Sequence, residues 1–431
     1  MAWDLPLMKL KQGSSLLISG PASVRLCDGA LLVIGKKFVR NEGFIVKKGR
    51  ALPVEVLEDS AIEAKLGPDA RIDQFDEVIP KNWRSAADAI LDSPRPTKAL
   101  IIGDVDSGKT TFAVYLSNMA FDRGVKAAVI DADPGQGEIS LPTTIGYGLL
   151  NEGVTSMDKI QLKTAFFVGS TSPSDAPTRV VVGARRLVDM ALSNGAELLT
   201  INTCGWIYGR RAREFKTSLI QSISPEYLVV IQRSSEAENL VKAWGSMSGT
   251  EILRISTSPA SRLRSREERK EKREAAYRKY FAESKERVFD LESVALMYSY
   301  YTYGKPLPLP LLQELQKKVG LSLIYGELGD VFLFLVGCEE PDQVKIDKLR
   351  EITSIEEIVL IKRGFEKGIL VGLLDLRGNF LGLGALSHID YVKRQVGVIT
   401  PVDKEVGAIQ IGQVKLDENW REVCKLPPFP I

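Results

Sequence analysis

The chain has 431 residues, one histidine (His388) and four scattered cysteines (Cys27, Cys204, Cys338, Cys424). A histidine-based triad or a His-rich zinc centre would need His388, and with no C-x-x-C pair neither structural zinc nor a disulfide scaffold is expected. Lys+Arg 57 against Asp+Glu 55 gives a net charge of +2, with 44% hydrophobic and 26% charged residues, so any nucleic-acid contact must be a local basic patch on an ordinary globular protein. The N-terminal residues lack a basic segment followed by an apolar one, and no apolar run reaches the ~18 residues of a membrane-spanning helix. A soluble, cytoplasmic protein without membrane contact is expected.

In chain order, Leu16–Ile18, Ser23–Leu26, Ala30–Ile34, Gly43–Val46 and Pro53–Val56 are short apolar or alternating runs cut by turn residues. Their spacing predicts a small antiparallel sandwich or barrel. A helix is predicted over Ser85–Leu91, then a proline-rich linker, Ser93-Pro-Arg-Pro96. Between residues 98 and 257 strand candidates alternate with helical stretches. The strands are Lys98–Ile102, Lys126–Asp131, Thr164–Val168, Glu197–Ile201, Tyr227–Gln232 and Glu251–Ile255; the helices include Thr110–Arg123, Thr178–Ser193 and Arg210–Ile220. That alternation predicts a parallel, doubly wound sheet, whose ligands sit at the carboxyl ends of the strands. Residues 261–287 are densely charged and read as an exposed helix. From Tyr298 onward the chain is aromatic, proline-rich and then strand-like.

The run Gly103-Asp104-Val-Asp106-Ser107-Gly108-Lys109-Thr110 fits G-x-x-x-x-G-K-[ST] between an apolar strand and a helix that begins with Thr111. In that context the backbone N–H groups cradle a phosphate, Lys109 reaches the β- and γ-phosphates of ATP, and the Thr110 hydroxyl ligates Mg²⁺. One βα unit later an apolar strand ends in Asp131 and Asp133, followed by Gly135-Gln136-Gly137. Acids at a strand end opposite a P-loop suit a metal-neighbouring carboxylate; an aspartate that merely caps the next turn is the plainer alternative. No guanine-reading Asn-Lys-x-Asp tetrapeptide is present. The fold class is therefore α/β: a central P-loop NTPase domain with a parallel doubly wound sheet, flanked by N-terminal and C-terminal mostly β domains. The expected boundaries are 1–92, 93–297 and 298–431.

In the charged segment Arg262, Arg266, Arg269, Arg273, Tyr277 and Tyr280 are spaced 4, 3, 4, 4 and 3 apart. They share one helical face, separate from a stripe of Glu267, Glu271 and Glu274. A solvated, salt-bridged helix is the common fate of such a sequence. A one-faced arginine row after the last parallel strand also suits a lid that stabilises a transferring phosphoryl group.

Three further motifs accompany the P-loop: Asp131-Ala-Asp133-Pro-Gly135-Gln136, the strand-ending turn Thr171-Ser172-Pro173, and Thr203-Cys-Gly205-Trp206. Together with the arginine-rich segment at 261–281 they resemble the polynucleotide 5′-hydroxyl kinase family, the RNA kinases of tRNA splicing, mRNA 3′-end formation and pre-rRNA processing. The compact layout is similar to that of its archaeal-type members. The resemblance implies that Asp133 activates the attacking 5′-hydroxyl beside the metal, with Asp131 as helper. Gln136 then lies near the metal or the acceptor, and Thr203, Gly205 and Trp206 match the clasp on the terminal nucleotide. Arg269 and Arg273 match the family's lid pair. Ile34-Gly35 stands where the family's aromatic adenine contact is expected. Trp206 could stack on a base, at ~1–3 kcal/mol, or pack beneath its own loop.

The resulting expectation is an ATP- and Mg²⁺-dependent kinase acting on RNA 5′-hydroxyl ends, with DNA open as a second acceptor. The alternatives are a catalytically silent ATP-bound scaffold and a regulatory P-loop ATPase.

Overall fold

The computed structural model describes residues 7–246, 249–258 and 265–431. Nine strands come first: β1 (Met8–Leu10), β2 (Ser15–Ser19), β3 (Ala22–Asp28), β4 (Ala30–Val33), β5 (Lys36–Val39), β6 (Gly43–Val46), β7 (Ala51–Val56), β8 (Ser60–Leu66) and β9 (Arg71–Phe75). They form two sheets, β1-β8-β3-β6 and β5-β4-β7-β2-β9. Alternation along β3, buried at Ala22, Val24 and Leu26 and open at Arg25, is that of a strand with one face in a core. The five predicted strands all form, and the sandwich is as expected. β1, β5, β8 and β9 are additional; β8 and β9 are polar enough in sequence to pass for loop.

Next come α1 (Lys81–Leu91), β10 (Thr97–Gly103), α2 (Lys109–Asp122), β11 (Ala127–Ala132), β12 (Thr144–Leu149), β13 (Gln161–Phe167), α3 (Pro177–Ser193), β14 (Leu198–Thr203), α4 (Arg210–Ile223), β15 (Tyr227–Ile231), α5 (Glu238–Val241) and β16 (Glu251–Ile255). The sheet order is β13-β12-β11-β14-β10-β15-β16. β11, β14, β10, β15 and β16 run parallel, as the alternation predicts. β12 was not foreseen and runs antiparallel to β11, so the sheet is mixed at that edge. Two glycines in Thr-Ile-Gly-Tyr-Gly-Leu weaken its sequence signal. The parallel strands β10, β11, β14 and β15 are buried on both faces, β10 from Ala99 to Gly103 without a break, while the edge strand β16 is buried only at Ile255.

The contacts divide the chain into two compact units, residues 1–166 with 177–269, and 167–176 with 270–431. This differs from the three expected parts. The sandwich does not stand apart, because one apolar cluster runs from Leu16, Val33 and Val54 through Trp83 on α1 to Phe112 and Tyr115 on α2. Trp83 is fully buried and donates its indole N–H to the Ser256 carbonyl, 2.7 Å away. The second boundary falls inside α6 (Arg266–Phe281), between Arg269 and Lys270.

The second unit continues with β17 (Lys285–Asp290), β18 (Ala295–Met297), β19 (Lys305–Pro306), α7 (Leu309–Val319), β20 (Leu323–Leu328), β21 (Phe332–Gly337), α8 (Gln343–Thr353), β22 (Glu357–Lys362), β23 (Ile369–Leu374), β24 (Phe380–Asp390), β25 (Gln395–Thr400), β26 (Ala408–Leu416) and β27 (Glu422–Lys425). One sheet runs β17-β25-β24-β23-β26-β18, with β27 on β26, and another runs β19-β20-β21-β22. The unit is mostly β, as predicted. Its helices α7 and α8 were not, and they bury Leu312, Leu315 and Leu349 with Leu333, Leu335 and Leu360 of the smaller sheet.

Candidate active site

One pocket in the first unit is lined by Val105–Thr111, Asp133, Gln136, Asn202, Thr203, Gly205 and Arg269, and farther along by Ile34, Arg50, Leu52, Val114, Glu138, Ser156 and Met157. It lies at the carboxyl ends of β10, β11 and β14, where a parallel sheet opens its strand-end crevice. The P-loop leaves β10 at Gly103 and enters α2 through Gly108, whose φ of 103° is open to glycine and strained for other residues. The Ser107 Oγ is buried and makes no hydrogen bond among the described residues. Asp104 shapes the loop: its Oδ1 accepts from Val105 N, and its Oδ2 from the Tyr208 hydroxyl at 3.0 Å. Its carbonyl accepts from Lys109 Nζ, so the lysine lies back along the loop.

Lys109 is buried, and that burial pushes its ammonium down to about 8. The charge of Lys216 adds to the drop, and Asp133 opposes it. Asp133 Oδ1 accepts from the backbone N–H of Gly135 and of Gln136, both at 3.0 Å, so the D-x-G-Q turn fixes this carboxylate at the pocket wall. Gln136 also lines the pocket, and its amide donates to the Gly135 carbonyl at 2.9 Å.

Asp131 departs from the expected metal-binding role. It is 1% exposed and is not part of the pocket wall. Its Oδ2 accepts from Glu138 N at 2.6 Å and its Oδ1 from Asn202 Nδ2 at 3.0 Å. Burial raises it to about 7, opposed by the Glu138 N–H. The same Asn202 nitrogen is 3.5 Å from Thr110 Oγ1. Asp131 therefore acts on the pocket through Asn202, a residue the sequence reading missed. Its signal is an asparagine inside the buried strand Leu-Leu-Thr-Ile-Asn-Thr, where a polar group needs a partner.

Thr203 lines the pocket, but its hydroxyl is committed, donating to the Ile101 carbonyl at 2.7 Å and accepting from Lys216 Nζ at 2.8 Å. Gly205 packs on the P-loop; a Cβ there would lie 2.5 Å from the Val105 backbone nitrogen. Trp206 is half-buried, with one face stacked on Phe215 at 5.5 Å and 23°. Lys216, also missed, sits on the buried face of α4 in step with Ala212 and Ile220.

The arginine stripe divides. Arg262 lies outside the described residues. Arg266 is exposed. Arg269 lines the pocket and pairs with Asp106 of the P-loop at 2.8 Å. In the second unit Arg273 makes a two-pronged pair with Glu422 at 2.6 and 2.7 Å, Tyr277 is buried, and the Tyr280 hydroxyl accepts from Leu383 N. Thr171 and Ser172 also belong to the second unit, where the Ser172 hydroxyl bonds to that of Ser174 at 2.8 Å. His388 is half-exposed on β24, 3.3 Å from Glu286.

The family described as mRNA cleavage and polyadenylation factor CLP1 P-loop matches residues 103–283. Over most of its length the chain is similar to archaeal proteins named polyribonucleotide 5′-hydroxyl-kinase. The protein from Pyrococcus furiosus is 31% identical over 80% of this chain and 95% of its own length, and that from Pyrococcus abyssi is 29% identical over 81% and 96%. A solved structure of a Clp1p–Pcf11p complex superposes with a TM-score of 0.61, covering 96% of this chain and 98% of its own at 12% identity, which speaks for the fold. Among the described residues no helix is long and apolar enough to cross a membrane. The chain belongs to the polyribonucleotide 5′-hydroxyl-kinase family.

Proposed function

We propose that the chain transfers the γ-phosphate of ATP to the 5′-hydroxyl end of RNA. The observation that carries this reading is the convergence of Lys109, Thr110, Asp133 and Arg269 on one pocket, with the Thr203–Gly205 turn on its wall. RNA as the acceptor rests on the names of the archaeal relatives.

Phosphoryl transfer asks mainly for positioning and charge neutralisation. The P-loop N–H groups hold the phosphates. Lys109 swings from the Asp104 carbonyl onto the β- and γ-phosphate oxygens. Asp133 takes the proton of the 5′-hydroxyl as its oxygen forms a bond to the γ-phosphorus and the bridge to the β-phosphate breaks, releasing ADP. Arg269, already beside Asp106, balances charge on the group in flight. The donor set suits Mg²⁺: the Thr110 hydroxyl and the Asp133 carboxylate are hard oxygen donors, and this ion binds through one or two protein groups, phosphate oxygens and water. Mg²⁺ supplies neutralisation of phosphate charge when bound. The pocket's apolar end, with Ile34, Leu52, Val114 and Met157, receives the adenine. The four cysteines are all free, which suits a reducing cytoplasm.

The test is incubation with γ-labelled ATP and a 5′-hydroxyl oligoribonucleotide. Label on the oligonucleotide supports the kinase. Nucleotide-dependent binding without label would point to a scaffold, and hydrolysis indifferent to the oligonucleotide to a regulatory ATPase. A 5′-hydroxyl oligodeoxynucleotide run in parallel measures how far DNA serves.

A further inference from the structure

Lys216 is a costly residue to keep. It is 1% exposed in the middle of α4, among Ala212, Phe215, Leu219 and Ile220. No carboxylate lies within ion-pair distance of it among the described residues; its ammonium donates to the Thr203 hydroxyl and the Cys204 carbonyl, both at 2.8 Å, and approaches Cys204 Sγ at 3.6 Å. A buried ammonium held only by neutral groups weakens a fold relative to an apolar side chain of the same size. Burial depresses its pKa, with Cys204 and Asp133 opposing. Its partners show what is gained. Thr203 and Cys204 are the first half of the turn whose second half is Gly205, seated on the P-loop backbone, and Trp206. The ammonium also lies 5.4 Å from the centre of the Phe215 ring, the ring that backs the Trp206 indole.

We propose that Lys216 is a positioning residue for the polynucleotide acceptor: its ammonium holds the Thr203 hydroxyl and the Cys204 carbonyl and, through Phe215, backs the Trp206 ring, so that the clasp stands preformed where Gly205 meets the P-loop. This rests on the kinase reading above and adds to it a residue that touches neither substrate. Arranging the clasp in advance removes an ordering cost that the oligonucleotide would otherwise bear on binding.

The experiment compares the full chain with Lys216→Met, Thr203→Val and the double variant. Melting temperature, ATP affinity, and KM and kcat for a 5′-hydroxyl oligoribonucleotide are measured for each. Lys216→Met is expected to melt at or above the wild-type temperature. Its KM for the oligonucleotide should rise about 10-fold, clearly more than any change in ATP affinity. Adding it to Thr203→Val should change KM by less than about twofold, because the two substitutions break one linkage. An unchanged oligonucleotide KM in a folded Lys216→Met overturns the proposal, as does a parallel loss of melting temperature, ATP binding and turnover. If Lys216→Met does not fold, Lys216→Gln is read by the same criteria. Label transfer by the wild type with an indifferent Lys216→Met defeats only this proposal; no label from the wild type defeats the kinase reading and this proposal with it.

Discussion

At one end of the pocket six consecutive residues, Asp106–Thr111, bring the P-loop backbone, Lys109 and the Thr110 hydroxyl to the wall. At the other, Ile34, Leu52, Val114 and Met157 arrive from the β4–β5 turn, β7, α2 and the loop before β13. The phosphate end is a local object: a strand, a glycine turn and a helix start make it wherever they occur. The apolar end exists only because the sandwich and α2 share a core. The two ends should therefore fail differently. Damage to the first should slow transfer, while damage to the second should weaken nucleotide binding.

The largest effects are expected at the phosphate end. Lys109→Ala and Asp133→Asn should each lower kcat by about 10²–10³ or more, the scale of losing one group that stabilises transition-state charge; full label transfer by either would break the assignment of that end. Arg269→Ala should cost about 10–10² in kcat with melting unchanged, because its Asp106 partner is part of the loop.

At the apolar end, Leu52→Ala should raise KM for ATP by about 10-fold, from about 1–2 kcal/mol of lost apolar contact, with kcat held once melting shows the variant folded. A fall in kcat instead would mean that the two ends are not separable.

A pH series sharpens the same contrast. Lys109 in the free protein titrates at about 8, and bound phosphate favours its charged form. Nucleotide affinity should be flat below pH 8 and decline above it, with proton uptake on binding that depends on the buffer's ionisation enthalpy in calorimetry. Lys109→Ala should abolish that uptake; Leu52→Ala should leave it. The smallest effect is reserved for His388→Ala, which should leave turnover intact and change stability by less than about 0.5 kcal/mol, as for an exposed residue.

Much of the phosphate end was legible in the sequence, because its parts lie close along the chain. The P-loop fits a fixed spacing, and Asp133 follows one strand later with its own turn to hold it. The inner parallel strands were legible too, since burial on both faces makes their apolar runs continuous. β12 was not, because its glycines hide the pattern. Asp131 read as a second metal ligand, since a sequence shows that two acids share a strand end but not that one of them turns inward to Asn202 and Glu138.

Spacing marked the candidate groups of this chain: a P-loop, a carboxylate one strand later and an arginine row after the last parallel strand. The tertiary structure decided which members of those sets meet. It sent Arg269 to the P-loop loop and Arg273 to Glu422, buried Asp131 one layer behind the pocket, and seated Lys216 beneath the Thr203–Trp206 turn. The physical reason is the range of the forces. Turn geometry and helix starts are settled within a few residues, whereas burial and the partners it demands depend on what the rest of the chain brings to the same place.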